Sequence, residues 1–306
     1  MSTIRHGVKR AVEAVLVGTG GPAIARKRRS HHLLVLAYHN IVPRGSGAIG
    51  DRSLHLSQDA FAAQLDSLSA THDVVPLRDA IAQNEAADAR PRAAITFDDA
   101  YSGAITAGIA ELRSRHLPAT VFVTPGFLGG KSFWWDVFAD TETGLDPALR
   151  ERALAEAHGL SAMVGAIAQR CGAGMHDMPA HACGASLGQL HAALEDEKIS
   201  LAAHTMNHPS LISLSDAELA QELSQPLEWL RQFGDRALPM VSYPYGLADN
   251  RVQAAARTAG YTAGFMIDGG WTTAAPHEPF AIPRLNIPAG VSRNGFILRA
   301  AGLLQG

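Results

Sequence analysis

Short apolar runs alternate with stretches of helical periodicity along most of the chain. Six compact runs rich in aliphatic and aromatic side chains predict buried strands: Leu33–Tyr38, Ala93–Phe97, Ala119–Thr124, Ile199–Ala203, Leu238–Tyr243 and Tyr261–Ile267. Helical spacing predicts helices between several of them, at about 57–71, 101–116, 215–234 and 249–259. Strands that alternate with helices predict the α/β class, with a parallel sheet or barrel.

The stretch from about 131 to 198 interrupts this alternation. It is rich in alanine, is helical in pattern and contains Gly172 and Gly174 near its centre. The strand pattern resumes directly afterwards, at Ile199. We therefore interpret the stretch as a helical insertion within one domain that spans residues 31–306.

Residues 1–30 differ in charge from the rest of the chain. They carry seven Arg and Lys residues and one acid, Glu13, which gives the segment a net charge of +6. The formal charge of the whole chain is −3, so the remainder carries about −9. That mildly acidic body has no basic footprint for nucleic acid. Within the segment, Ile4, Val8, Val12 and Val15 have helical spacing. The pattern predicts an amphipathic helix that lies either on an anionic membrane or on the domain itself.

The expected location is cytoplasmic, with peripheral contact at the inner membrane. Two cysteines do not form a disulfide framework, which favours a reducing compartment, and no apolar run approaches the length of a bilayer span. Export is the alternative, because a basic start, the apolar run Ala11–Val17 and the small residues Ala23–Ala25 resemble a signal peptide. Glu13 and the break at Gly20–Pro22 argue against it.

Four soft metal ligands lie close together in the insertion. They are Cys171, His176, His181 and Cys183, and their spacing matches no structural zinc pattern. We interpret the segment as an ordinary loop that contains histidines.

Adjacent carboxylates follow one predicted strand. Asp98 and Asp99 directly follow the run Ala93–Phe97. In α/β folds, functional sites collect at the carboxyl ends of strands. A helix cap is the alternative role for either aspartate.

Two histidines, His204 and His208, follow another predicted strand at a spacing that lets both imidazoles reach one metal ion. Surface or capping histidines are the alternative. Two histidines and one carboxylate are a common set for a divalent metal, with positions left for water and substrate.

A third element, Ser242–Gly246, follows an apolar strand. Its Pro244 and Gly246 shape a tight turn that can expose a backbone N–H. An ordinary turn is the alternative for these five residues taken alone.

Together these motifs resemble the polysaccharide deacetylase family, also called the NodB homology domain or carbohydrate esterase family 4. The matching segments are Thr96–Asp99, His204–His208 and Pro244–Gly246, in the family's order and separation, and the resemblance extends from about Leu33 to Ile287. It implies a distorted (β/α) barrel with fewer than eight strands.

The resemblance also implies roles for individual residues. Asp98 is expected to be the catalytic base, and Asp99, His204 and His208 are expected to bind one divalent metal ion, with Zn²⁺ as the leading candidate. The backbone N–H of Tyr245 is expected to help hold the oxyanion, and the neighbouring Pro244 is expected to bind substrate.

Other segments narrow the resemblance to a subgroup associated with bacterial surface polysaccharides, including exopolysaccharide. They are Tyr38–Ile41 and Phe133–Asp136. The chain also departs from many relatives. Ala100 replaces a glycine, Ser242 stands where an arginine orients the base, and the segment Pro283–Ile287 lacks the histidine that serves as general acid.

Three further residues complete the candidate site. His39, just beyond the first predicted strand, is the candidate proton donor, with a structural histidine as the alternative. Arg284 is expected to orient Asp98 or to bind substrate. Trp135 is expected to form a wall of the sugar site, although a core role for it or Trp134 is favoured by the usual burial of tryptophan.

The predicted activity is hydrolysis of N-acetyl groups, which are linear amides. The substrate is an amino sugar of a bacterial surface polysaccharide or of its lipid-linked oligosaccharide precursor. One alternative is a deformylase or other deacylase of an amino sugar. Another is a carbohydrate-binding scaffold with impaired catalysis, which the missing arginine and histidine motivate.

Overall fold

The computed structural model of the protein describes residues 2–82, 90–140, 142–273 and 276–304, with side chains from Gly7 onward. The described residues form eleven strands: β1 (His32–Tyr38), β2 (Asn40–Val42), β3 (His55–Ser57), β4 (Asp73–Val74), β5 (Arg92–Phe97), β6 (Ala119–Val123), β7 (Ile199–Ala203), β8 (Ala237–Ser242), β9 (Ala263–Gly269), β10 (Trp271–Thr273) and β11 (Ile282–Asn286).

Seven parallel strands close into a barrel, in the order β1, β11, β9, β8, β7, β6 and β5, with β5 pairing back to β1. Outside the ring, β4 pairs in parallel with β5, and β10 pairs antiparallel with β1. The prediction of a distorted (β/α) barrel with fewer than eight strands is confirmed.

Helices surround the barrel. Those in the described part of the chain are α1 (Ser2–Gly18), α2 (Gly21–Lys27), α3 (Gln58–Ser69), α4 (Leu77–Ile81), α5 (Ile109–Ser114), α6 (Trp134–Val137), α7 (Pro147–Ala157), α8 (Ser161–Arg170), α9 (Leu187–Leu194), α10 (Asp216–Leu230), α11 (Asn250–Ala259) and α12 (Arg293–Ala300). The segment Ala104–Gly108, which leads into α5, is π-helical.

The barrel interior is filled by one small apolar cluster. It takes side chains from all seven barrel strands, including Val35, Phe122 and Phe265, together with Leu77 and Ala80 of α4. Alternate residues of the same strands, such as Leu34 and Leu36, join a larger cluster beneath the surrounding helices. Because the interior is packed, the carboxyl ends of the strands remain as the place where polar groups can collect.

Most predicted elements match the observed ones within two residues. The stretch 131–198 lies between β6 and β7 and contains α6 to α9. The strand β11, which completes the ring, was not predicted, because Pro283 and Arg284 interrupt its apolar pattern.

The basic N-terminal segment forms α1 and α2, and α1 packs against α12. No helix in the described ranges combines the length and apolarity needed to cross a bilayer.

Gly103, a few residues after Asp98 and Asp99, allows this segment to lie in close contact with β2. A methyl group on Gly103 would lie 2.2 Å from the carbonyl oxygen of Ile41 and 2.4 Å from Oδ1 of Asn40. We expect Gly103→Ala to lower the free energy of unfolding by about 1–3 kcal/mol, because the carbonyl group of Ile41 cannot yield without a backbone shift. Urea unfolding measures the change.

Gly165, inside α8, is the matched control, because nothing lies within 4 Å of an added methyl group there. Gly165→Ala should raise the free energy of unfolding by about 0.5–1 kcal/mol through helix propensity. Equal effects of the two substitutions would contradict this account of Gly103.

Candidate active site

The loops after the barrel strands β5, β7 and β8 share an unusual backbone conformation. Seven described residues other than glycine have left-handed φ, and five of them are in the loops after β5, β7 and β8: Asp99, Ala100, Thr205, His208 and Tyr245. Such conformations cost about 1–2 kcal/mol per residue for side chains other than glycine. Their concentration makes this end of the barrel the candidate functional site.

Asp99, His204 and His208 come together at this end. One ligand atom from each lies within 4.8 Å of the others. Oδ1 of Asp99 is 3.5 Å from Nε2 of His204 and 3.4 Å from Nε2 of His208. The predicted metal set therefore converges in space, with all three side chains buried.

The hydrogen bonding of His204 shows that a cation fits between these atoms. Nδ1 of His204 lies 2.8 Å from the carbonyl oxygen of Ser242, which can only accept, so Nδ1 carries the proton. Nε2 of the neutral ring then presents a lone pair toward the carboxylate of Asp99. Oδ1 of Asp99 is buried with no hydrogen-bond partner among the described residues. Lone pairs that face one another repel, and a shared divalent ion would satisfy them.

Burial sets the protonation of the same three groups when no ion offsets it. Burial, followed by the charges of Asp98 and Asp136, raises the pKa of Asp99 well above its ordinary value. Burial lowers the pKa of His204, and burial together with His204 lowers the pKa of His208 well below its ordinary value. Neutral imidazoles are the form that coordinates a metal.

The neighbouring carboxylate faces an arginine. Nη1 and Nη2 of Arg284 donate to Oδ1 and Oδ2 of Asp98, at 2.8 and 2.7 Å. Burial by itself raises the pKa of Asp98, but the charge of Arg284, assisted by His204 and by the hydrogen bonds from Arg284, holds it below its ordinary value. Asp98 is therefore an anion beside the proposed metal set.

All five N–H groups of Arg284 have acceptors. Two reach Asp98, and the others reach the hydroxyls of Thr96 and Ser242 and the carbonyl oxygen of Met266. The side chain is fully buried. Of the two roles expected for Arg284, these contacts favour orientation of Asp98, because no N–H remains for a substrate.

A cavity of about 350 Å³ opens over the site. It is lined by Asp98 and by the predicted residues His39, Trp135 and Tyr245, together with the proposed metal set. His39 is half-buried, and burial lowers its pKa to about 4 despite the opposing charge of Asp98. Pro244 is buried, and Tyr245 has φ 59° in the turn after β8.

Trp135 is held in place from behind. The centre of its ring is 4.6 Å from the centre of the His208 ring. Its indole N–H donates to the hydroxyl of Tyr101 at 2.7 Å. That hydroxyl in turn donates to Asp136 at 2.7 Å. The ring is 5% exposed, so Trp135 combines the expected cavity wall with a core position.

Asp136 is a buried acceptor that sequence reasoning did not assign. It accepts from the backbone N–H of Asp51 and from Nε2 of His55, each at 2.8 Å, besides the hydroxyl of Tyr101. The only signal was its position after Phe133–Trp135, since its partners come from other parts of the chain.

The four potential ligands of the insertion do not come together as a ligand group in the described part of the chain. Among residues the structure describes, Asp99, His204 and His208 are the one group of three ligands that can hold an ion. Cys171 is exposed, Cys183 is buried and His181 bonds with Asn40.

Comparison with known proteins identifies the family. The family model described as "Polysaccharide deacetylase" matches residues 85–264, which is more than half of the chain. The chain belongs to the polysaccharide deacetylase family. The matched range holds Asp98, Asp99, both histidines and Tyr245, while His39 and Arg284 lie outside it. No curated protein matches the sequence.

Solved structures share the fold at low identity. The deacetylase PplD of Streptococcus pyogenes, in complex with acetate, is 18% identical with a TM-score of 0.61, over 88% of this chain and 98% of that one. IcaB from Ammonifex degensii is 16% identical with a TM-score of 0.62, over 89% and 98%. The BpsB deacetylase domain from Bordetella bronchiseptica is 16% identical with a TM-score of 0.54, over 84% and 96%.

This deacetylase family member should bind one equivalent of a divalent ion. We expect Asp99→Asn or His208→Gln to weaken Zn²⁺ binding more than about 100-fold, because groups that merely orient a ligand already contribute 10- to 100-fold. Calorimetric titration of the metal-free chain with Zn²⁺ measures the affinity. Cys171→Ser is the control, and it should bind as the native chain does. Retention of affinity in both ligand variants would place the ion elsewhere.

Proposed function

We propose that this family member is a metal-dependent N-deacetylase of amino sugars in a bacterial surface polysaccharide or its lipid-linked precursor. One observation carries the proposal: an ionised carboxylate, Asp98, lies beside a buried ligand set whose lone pairs face one another. That arrangement supplies a base and an electrophilic centre within one cavity.

Asp99, His204 and His208 would hold the ion, and Zn²⁺ is the leading candidate for a set of two histidines and one carboxylate. A bound divalent ion there would lower the pKa of a water molecule and polarise the amide carbonyl. The hydrogen bond from His204 to Ser242 fixes the ring orientation needed for this role.

Asp98 is the proposed base. Its two bonds with Arg284 fix the carboxylate plane, and its lowered pKa keeps it ionised and able to accept a proton from the attacking water. The backbone N–H of Tyr245 is proposed to donate to the oxygen that becomes negative as the carbonyl carbon turns tetrahedral.

The amine must gain a proton before it can leave. His39 lines the cavity and is the proposed donor. With a pKa of about 4 it is neutral near pH 7, so it must first receive the proton that Asp98 took from water. Direct return of that proton from Asp98 to the amine is the competing route.

The expected arginine at position 242 is replaced by Arg284 from β11. The absence of that arginine was one of two reasons for the hypothesis of an impaired scaffold, the other being the missing histidine. The bidentate pair of Arg284 with Asp98 removes the first reason. The acetyl group is proposed over formyl because IcaB, PplD and the BpsB domain share the fold and two of them are described as deacetylases.

The proposed activity is tested by acetate release. We expect the zinc-loaded chain to release acetate from a β-linked N-acetylglucosamine oligomer, to stop when a chelator removes the ion, and to resume when Zn²⁺ is restored. Formate release from an N-formyl oligomer, measured in parallel, separates deformylation. No release of either acid, with binding of the oligomer retained, would support the scaffold instead.

Asp98→Asn separates the base from the metal set. We expect turnover to fall by about 10²–10⁴, the usual contribution of a positioned base, while Zn²⁺ affinity stays within about threefold of native. Asp99→Asn is the matched variant, because it should lose both. Loss of zinc from Asp98→Asn would show that the two roles are reversed or shared.

His39→Ala tests the proton donor. We expect kcat to fall by about 10²–10⁴ with little change in KM, because the proton is needed in the transition state. Zinc affinity should be unaffected. Near-native kcat would make His39 a structural residue and favour return of the proton by Asp98.

A further inference from the structure

Helix α1 is attached to the domain by its single acid. Glu13 is 4% exposed, and Oγ of Ser292, the N-cap of α12, donates to its Oε2. Carboxylates are stabilised at a helix N-terminus. Val17, one turn further along the same face, is half-buried and lines a cavity shared with α2, α3 and α12. The Glu13 face of α1 is therefore its inner face.

The opposite face of α1 is apolar and uncovered. We define its apolar stripe as Val8, Val12, Val15 and Leu16, which are 59%, 52%, 67% and 42% exposed. At 100° per residue the first three share one side of the helix, turned away from Glu13 and Val17. The predicted fourth member, Ile4, has no described side chain.

Exposure of large apolar side chains is concentrated in this part of the molecule. Ten such side chains are exposed among the described residues, and five lie within the first 24 positions: the four of the apolar stripe and Ile24 of α2. Packing α1 on the domain therefore has not buried the residues that make the helix amphipathic. Concentrated apolar exposure indicates an interaction surface.

The exposed charges of the N-terminal helices have one sign. At 100° per residue Lys9 lies beside the stripe, whereas Arg10 lies on the side of Val17. Lys9, Arg10, Lys27 and Arg28 are exposed, and none forms an ion pair with a carboxylate in the described part of the chain. Because Glu13 is turned inward, no acid of residues 1–30 remains on the outer surface.

We infer that the apolar stripe and its flanking basic residues dock the folded protein onto an anionic lipid surface, with α1 parallel to the membrane plane. A second copy of the chain is the less suitable occupant, because pairing two such faces would bring together two basic helices whose one acid is buried. A lipid surface offers both an apolar layer for the valines and negative headgroups for the basic residues.

Contacts of the N-terminal helices with the rest of the protein fix the position of α1. The guanidinium of Arg29, which follows α2, donates to the carbonyl oxygen of Ala301 at 3.0 Å and lies 5.7 Å from the ring centre of Trp271. The N-terminal helices are thus joined to α12 at both of its ends, at Ser292 and at Ala301. Docking of α1 would hold the barrel at a defined distance from the lipid, independent of whether the protein is a deacetylase.

Vesicle co-sedimentation of the full chain tests the inference. We expect binding to phosphatidylcholine vesicles containing phosphatidylglycerol, and little binding to phosphatidylcholine alone. Val8→Ser, Val12→Ser and Val15→Ser combined should weaken binding at least about tenfold. Lys9→Gln should weaken it about fivefold, the contribution of one basic residue near an anionic surface.

A matched triple variant controls for general stickiness. Met163→Ser, Met175→Ser and Ile212→Ser combined remove three exposed apolar side chains elsewhere, and should bind vesicles as the native chain does. Urea midpoints verify that each variant folds. Native-like vesicle binding by the valine variant overturns the inference. So does a native dimer in sedimentation velocity that the valine variant dissociates, because the stripe would then be a subunit interface.

Discussion

The buried pair of Arg284 and Asp98 is the interaction on which the site depends. Burying two charges costs several kcal/mol per ion unless each is fully hydrogen-bonded. Here every N–H of Arg284 has an acceptor, and those acceptors come from β5, β8, β9 and the residue after β5. The guanidinium also lies 5.3 Å from the ring centre of Phe122 on β6. One side chain from β11 thus ties together the carboxyl ends of the barrel strands.

Support from outside the barrel serves the metal set in a similar way. Asp136 gathers three donors, and through Tyr101 it holds Trp135 against the ring of His208. The backbone passes so close to Asp136 that a methyl group on Gly50 would lie 2.5 Å from its Oδ1. The insertion that interrupts the strand rhythm therefore contributes structure to the site, because Trp135 and Asp136 belong to α6 at its start.

Periodicity and motif spacing were sufficient to predict the barrel strands β1 and β5 to β9 and the convergence of Asp99, His204 and His208. These features are local: a compact apolar run predicts a strand, and polar residues just after it lie at the carboxyl end. Arg284 could not be assigned in the same way, because its role depends on β11 lying between β1 and β9, and Pro283 with Arg284 conceals that strand. Asp136 was missed because its donors, including His55 and Tyr101, are distant in sequence.

Adjacent aspartates can take different roles only because their surroundings differ. Asp98 and Asp99 are both buried, and burial raises the pKa of each. The left-handed backbone at Asp99 turns its carboxylate toward two imidazoles, while that of Asp98 faces a guanidinium. The pKa values then move in opposite directions, as in other sites where paired carboxylates divide the work. Burial acts on both carboxyls, so the asymmetry comes from the charges around them: Arg284, with His204, lowers the pKa of Asp98, while Asp98 and Asp136 raise that of Asp99. The ionised state of Asp98 therefore depends on a residue 186 positions away in the sequence.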